Sequence, residues 1–133
     1  MKRVLLIFLW TMILCGSLFG QEVTSVTLNW TAPGDDGNVG TAYQYDVRYS
    51  LNPITEQNWN DCIEATGEPV PQEAGSPETF TVEGLEANTT YHFAVKTSDE
   101  AGNWSGLSNV ATVTTTDNVP PAAIIDLTAT SDE

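Results

Sequence analysis

Tyr45-Asp46-Val47-Arg48-Tyr49 and Leu85-Glu86-Ala87-Asn88-Thr89-Thr90-Tyr91-His92-Phe93-Ala94-Val95 decide the fold. In the first stretch Tyr45, Val47 and Tyr49 recur at every second position, with charged residues between them. In the second, Tyr91, Phe93 and Val95 do the same. A period of two places alternate side chains on opposite faces of a strand, one face apolar and one polar. Upstream, Val26, Leu28 and Trp30 share one phase. Downstream, the β-branched run from Val110 to Thr115 reads as a last strand.

Turn residues separate these runs. Pro33-Gly34-Asp35-Asp36-Gly37 follows the first, and Asn52-Pro53 breaks the second. A short edge strand is expected near Asp61–Ala65, and Gly67 to Pro77 reads as loop. Phe80 and Val82 mark a strand that Gly84 is expected to end, and Ala101-Gly102-Asn103 is a further turn. Six short runs with turns between them, and no sustained helical period after residue 20, predict an all-β antiparallel sandwich.

The chain of 133 residues is sized for one domain. Residues 1–20 read as a secretory signal peptide. Lys2 and Arg3 form its basic start, Val4 to Leu14 is apolar apart from Thr11, and Cys15 to Gly20 is rich in small residues. Cleavage is expected after Gly20. Two alternatives stand beside it: lipidation of Cys15 in the Met12-Ile13-Leu14-Cys15 stretch, and a retained N-terminal anchor. The apolar run is short of the roughly 20 residues a membrane span needs, so no stable span is expected in the mature form.

Past residue 20, only Arg48 and Lys96 stand against all 18 acidic residues, a net charge of −16. Such a surface repels nucleic acid and anionic membranes. Cys62 is then the sole cysteine, which excludes an internal disulfide, and no His/Cys set has zinc spacing.

Trp30, Tyr45/Val47 and Leu85/Tyr91, in this order and at these distances, resemble the core of a fibronectin type III domain of the kind repeated in bacterial secreted proteins. The resemblance covers residues 23–116. It implies an immunoglobulin-like sandwich in which Trp30 packs between the sheets from strand B. Tyr45 and Val47 would lie on strand C, and the Tyr91 phenol would bond back to upstream backbone in a tyrosine corner. Gly34-Asp35-Asp36-Gly37 and Ser98-Asp99-Glu100-Ala101-Gly102-Asn103-Trp104-Ser105 also resemble bacterial repeats of this family.

The chain departs from the pattern twice. Strand A is missing, since only Gln21 to Thr24 lie between the expected cleavage site and strand B. Residues 117–133 read as a linker and the start of a second, truncated repeat, beginning Pro120-Pro121-Ala122-Ala123-Ile124-Ile125. The domain proper is then residues 21–116. The linker Asp117–Pro121 reaches at most about 17 Å. It cannot recross a sandwich of about 35 Å, so the tail is not expected to replace the missing strand.

The resemblance would also bring the loops after strands B and F to one pole, with Asp35 and Asp36 near Asp99 and Glu100. Hard oxygen ligands of this kind can hold calcium. The same residues are explained by turns closed through their own side chains. Read as an acid–base pair of a glycosidase they lack any sign of a substrate cleft. His92 alternates out of phase with Tyr91 and Phe93 and should face solvent. Trp59 and Trp104 fall outside the strand alternation. They either stack on sugars or partner chains, or cap the ends of the core.

The expected function is a secreted or cell-surface, non-catalytic module acting as a spacer or as an adhesion and protein-binding unit within a larger protein. Its partners would be neighbouring domains, an extracellular protein or a polysaccharide. The alternative is a carbohydrate-binding accessory module of a polysaccharide-degrading enzyme, with Trp59 and Trp104 carrying the stacking. No cofactor is expected beyond the possible calcium.

Overall fold

A computed structural model describes residues 23–117 and 120–131 of the chain. The expected signal peptide lies outside the described residues, as do Gln21 and Glu22. Among the described residues six strands form, in the order β1 (Val23–Thr31), β2 (Gln44–Ser50), β3 (Ile63–Glu64), β4 (Pro77–Glu86), β5 (Thr90–Ser98) and β6 (Ala111–Thr114). A 3-10 turn, Trp59–Asp61, precedes β3. The strands divide into a two-stranded sheet β1-β4 and a four-stranded sheet β3-β2-β5-β6, all paired antiparallel. This is the all-β, immunoglobulin-like sandwich that the sequence predicts.

The strand alternation sets the core. Val47, Leu85 and Phe93 are fully buried, and Val26, Ala65, Val82 and Tyr91 pack with them between the sheets. Tyr49, half-buried, lies edge-on to Tyr91 with ring centroids 6.0 Å apart. Burying a side chain such as Phe93 or Leu85 contributes about 1.5–3 kcal/mol each, and the interlocked aromatic edges add directionality.

Four of the five expected core residues, Tyr45, Val47, Leu85 and Tyr91, are buried. Trp30 is only half-buried. Its ring meets Tyr45 edge-to-face, with centroids 5.1 Å apart at 89°. It also lines an open cavity of about 430 Å³ with Pro33, Thr97 and Asn109. The reason is the width of its sheet: with two strands, β1 is an edge, and among the described residues no strand pairs with its outer side. Phe93, on the same inward phase as Tyr91, takes the central place instead.

Gly84 does not end its strand. β4 runs on to Glu86 through Gly84, whose φ of 75° suits glycine. The register with β1 slips here, Thr24 facing Leu85 while Val26 faces Val82. Such a bulge bends a strand without stopping it. The bend returns Leu85 to the core phase and leads into the tight β4–β5 turn, where Asn88 has φ 53°.

The tyrosine corner forms as expected. The Glu86 N–H donates to the Tyr91 hydroxyl at 3.1 Å, five residues back along the chain. Thr115 closes the same pole. Its buried hydroxyl donates to the Glu86 carbonyl and accepts from the Thr89 N–H, and its own N–H reaches the Thr89 carbonyl. β6 therefore ends at the pole where β1 begins. Beyond it, residues 120–131 join neither sheet, and Ile124, Ile125 and Leu127 are 78%, 94% and 86% exposed. No helix among the described residues is long and apolar enough to cross a membrane.

Candidate functional site

The carboxylates raised as a calcium site sit on two loops. In the β1–β2 loop Gly34 donates to the Gly37 carbonyl and Asp36 to the Val39 carbonyl, a miniature hairpin. A Cβ on Gly34 would fall 2.2 Å from the Val39 oxygen, so only glycine fits. In the β5–β6 loop Asp99 closes its own turn. One of its oxygens accepts the Asn103 N–H at 2.7 Å, and the other accepts the Asn103 side-chain amide at 2.6 Å. These amides hold the Asp99 carboxyl below its ordinary range.

The loops do meet, as the resemblance implies. Asp35 is half-buried, and burial raises its carboxyl above the ordinary value, with Glu100 beside it adding to the rise. Asp36 and Asp99 push more weakly in the same direction. Among the described residues no three His, Cys, Asp or Glu side chains converge to hold a metal ion. Asp99 is already committed to Asn103, and a carboxyl held low and doubly bonded is also a poor proton donor. Turn chemistry accounts for Asp99 and Asn103.

Of the two roles expected for Trp59, its burial fits the structural one. It is 6% exposed and packs with Ile54 and Ala94 in a second cluster on the outer face of the larger sheet. A buried ring cannot stack on a ligand. The Arg48 guanidinium and the Lys96 ammonium each lie 5.1 Å from the ring centroid. Arg48 also donates to both Asp46 oxygens and to the Trp59 carbonyl. Lys96 is bonded to Glu56 at 2.6 Å, whose other oxygen accepts the Leu107 N–H. Lys96 and that N–H hold the Glu56 carboxyl below its ordinary value. Both basic residues beyond residue 20 are thus fixed around one indole. The pairing suits them, because cation–π attraction and salt bridges strengthen as the groups lose water.

Trp104 remains open, 47% exposed, and is held by a bridge to Ser98. Tyr43, 61% exposed, donates its N–H to the Ser98 carbonyl. Two exposed aromatics are therefore tied to one buried residue. Tyr43 continues the phase of Tyr45, Val47 and Tyr49 in the sequence but lies just before β2. His92 is half-buried, with Nδ1 3.0 Å from the Thr112 hydroxyl across β5 and β6. Its role there is cross-strand pairing.

A second network went unread in the sequence. Glu78 is 4% exposed and accepts hydrogen bonds from the Tyr45 hydroxyl at 3.1 Å and the Gln72 N–H at 2.7 Å. Burial, with Glu78 beside it, pushes the Tyr45 phenol up to about 12. The network pins the loop before β4 to β2. These groups are structural, and each is satisfied within the sandwich.

Comparison with known proteins agrees with this architecture. Residues 19–114 match the family described as "Fibronectin type III domain". The chain is 35% identical over 99 residues to calcium-activated chloride channel regulator 1 of Equus caballus, which covers 70% of this chain and 11% of that protein. It is 35% identical over 95 residues to calcium-activated chloride channel regulator 4 of Homo sapiens, covering 67% and 10% respectively. It is 36% identical over 117 residues to chitinase A1 of Niallia circulans, covering 84% of this chain and 14% of that protein. The chain thus spans about a tenth of the length of these relatives. The two-sheet sandwich, the tyrosine corner at Tyr91 and the match over residues 19–114 make the chain a member of the fibronectin type III domain family.

Proposed function

We propose that the chain is a non-catalytic spacer or protein-binding module of a larger secreted or cell-surface protein. The observation that carries this reading is the match itself: one sandwich here corresponds to about a tenth of much longer relatives. The basic start and apolar run of residues 1–14 support export. The placement of charge supports a passive scaffold. Arg48, Lys96, Asp46 and Glu56 clamp Trp59, Glu78 anchors Tyr45, and Asp99 closes a turn. The remaining acids form a soluble coat.

A second reading has its own support. The match to chitinase A1 covers 84% of the chain, and Trp104 and Tyr43 are exposed aromatics on one backbone site. In that case the module would assist an enzyme acting on polysaccharide. Co-sedimentation with insoluble chitin and cellulose separates the two. The spacer reading expects no retention by either polymer and no turnover of chromogenic glycosides. Retention that is lost in Trp104→Ala would replace it with the accessory reading, and turnover would overturn both.

A further inference from the structure

A pocket of about 250 Å³ opens between the sheets, with β2 and β3 on one side and β4 on the other. Its walls come from residues 49, 64–66 and 80–83, within the sandwich itself. The floor is apolar. Ala65 and Val82 are buried there, and Tyr49 and Phe80 are half-buried. The Tyr49 ring is set by Tyr91 and Phe93, whose centroids lie 6.0 Å and 6.1 Å from its own. This wall is therefore in place before a ligand arrives, which lowers the cost of binding. The rim is acidic: Glu64 from one sheet and Glu83 from the other, both exposed.

The domain does little to satisfy these two carboxylates. Glu83 has no hydrogen bond or ion pair among the described residues. Glu64 reaches only Nη2 of Arg48, at 3.8 Å. Arg48 is already held by both Asp46 oxygens and by the Trp59 carbonyl. Lys96, the other cation past residue 20, is bonded to Glu56. Charge complementarity therefore calls for a cation brought by another molecule, and a second copy of this domain has none to spare. The shape narrows the class further. The pocket is smaller than the roughly 300–1,000 Å³ of a drug-sized site, and suits a single side chain. A ligand that fits the floor and the rim together is long and apolar along its stem and positive at its end. Lysine has that form. Its stem buries along apolar surface while its head stays at the rim. The ammonium is a compact charge with several donors for carboxylates, and aromatic faces attract it.

We propose that this pocket is a docking site for a lysine side chain presented by a partner protein, with the ammonium between Glu64 and Glu83 and the stem against Tyr49 and Phe80. The acidic coat draws a basic partner in, and the pocket fixes one of its residues. The inference rests on the protein-binding half of the proposed function, since a pure spacer needs no such site.

Amide-resolved NMR titration of the full chain with Nα-acetyl-lysine amide tests this. Carried to about 50 mM, enough to fill a site of millimolar affinity, it should give saturable shifts at residues 64–66 and 80–83. Nα-acetyl-norleucine amide keeps the stem and lacks the charge, and should give none. Glu64→Gln with Glu83→Gln should weaken the lysine probe roughly tenfold, the expected loss of two exposed ion pairs. Both side chains are exposed, so the melting temperature should hold. Glu73→Gln with Glu86→Gln removes the same charge elsewhere on the surface and should bind as the parent does. Shifts that never saturate, shifts of equal size from the norleucine probe, or a control pair that weakens binding as much as the pocket pair would each overturn the proposal. Its failure leaves the spacer role standing, whereas failure of the spacer reading shows separately, as retention on chitin.

Discussion

Replacing Tyr91 with phenylalanine removes one oxygen and keeps the ring. The hydroxyl accepts the Glu86 N–H at 3.1 Å, at the point where β4 turns into β5. Tyr91 is 6% exposed, so water cannot readily take the place of the lost acceptor. An intramolecular hydrogen bond contributes about 0.5–1.5 kcal/mol, and leaving a buried donor unmet costs about 1–3 kcal/mol. The Glu86 N–H is only partly buried, which puts Tyr91→Phe at about 1–2 kcal/mol. For a domain of this size that lowers the melting temperature by roughly 4–15 °C. Urea melts followed by tryptophan fluorescence give the difference directly. Tyr43→Phe, at an exposed position, is the control and should stay within about 0.5 kcal/mol of the parent. A Tyr91→Phe protein as stable as that control would refute the tyrosine corner as a source of stability.

Trp59→Ala should cost about 3–5 kcal/mol, as an aromatic truncation in a packed cluster does, and thermal unfolding by circular dichroism would register it. A cost below 1 kcal/mol would mean that Ile54 and Ala94 hold that cluster without the indole. The raised Tyr45 phenol has a definite sign. Its neutral form is favoured in the fold, so its contribution is complete below the unfolded phenol value near 10 and disappears as pH rises toward about 12. Chemical melts between these limits should show stability falling by up to about 2 kcal/mol, and Tyr45→Phe should flatten that slope. Millimolar calcium should leave the melting temperature of the wild type unchanged, because among the described residues no three acidic ligands converge. Calorimetry showing a calcium-dependent rise that Asp36→Asn with Asp99→Asn removes would restore the calcium site.

The sandwich was legible because its signal is periodic. Alternation at Tyr45–Tyr49 and Tyr91–Val95 fixed both strands and their inward faces, and the Leu85-to-Tyr91 spacing located the corner bond. Trp30 followed a family pattern whose full burial needs cover on the β1 side, and a two-stranded sheet does not supply it. Gly84 was read as a stop because a local signal cannot distinguish a strand end from a bulge, which exists only in the pairing with β1. The Trp59 cluster depends on contacts from positions 48, 96 and 56, far apart in the chain. One clue was available: two cations among 18 acids are expected to be paired where it counts. Glu78 was hidden for a similar reason, since only the fold shows that it points inward to Tyr45.

The central claim, that this sandwich is one module of a larger exported protein, is tested most directly by the mass of the native polypeptide. An antibody against the loop after β1 would be used to blot secreted and cell-envelope fractions of the source cells. The account predicts a species several times heavier than the 14.4 kDa of this sequence, outside the cytoplasm. A single band at or below 14.4 kDa, or one confined to the cytoplasm, would contradict it.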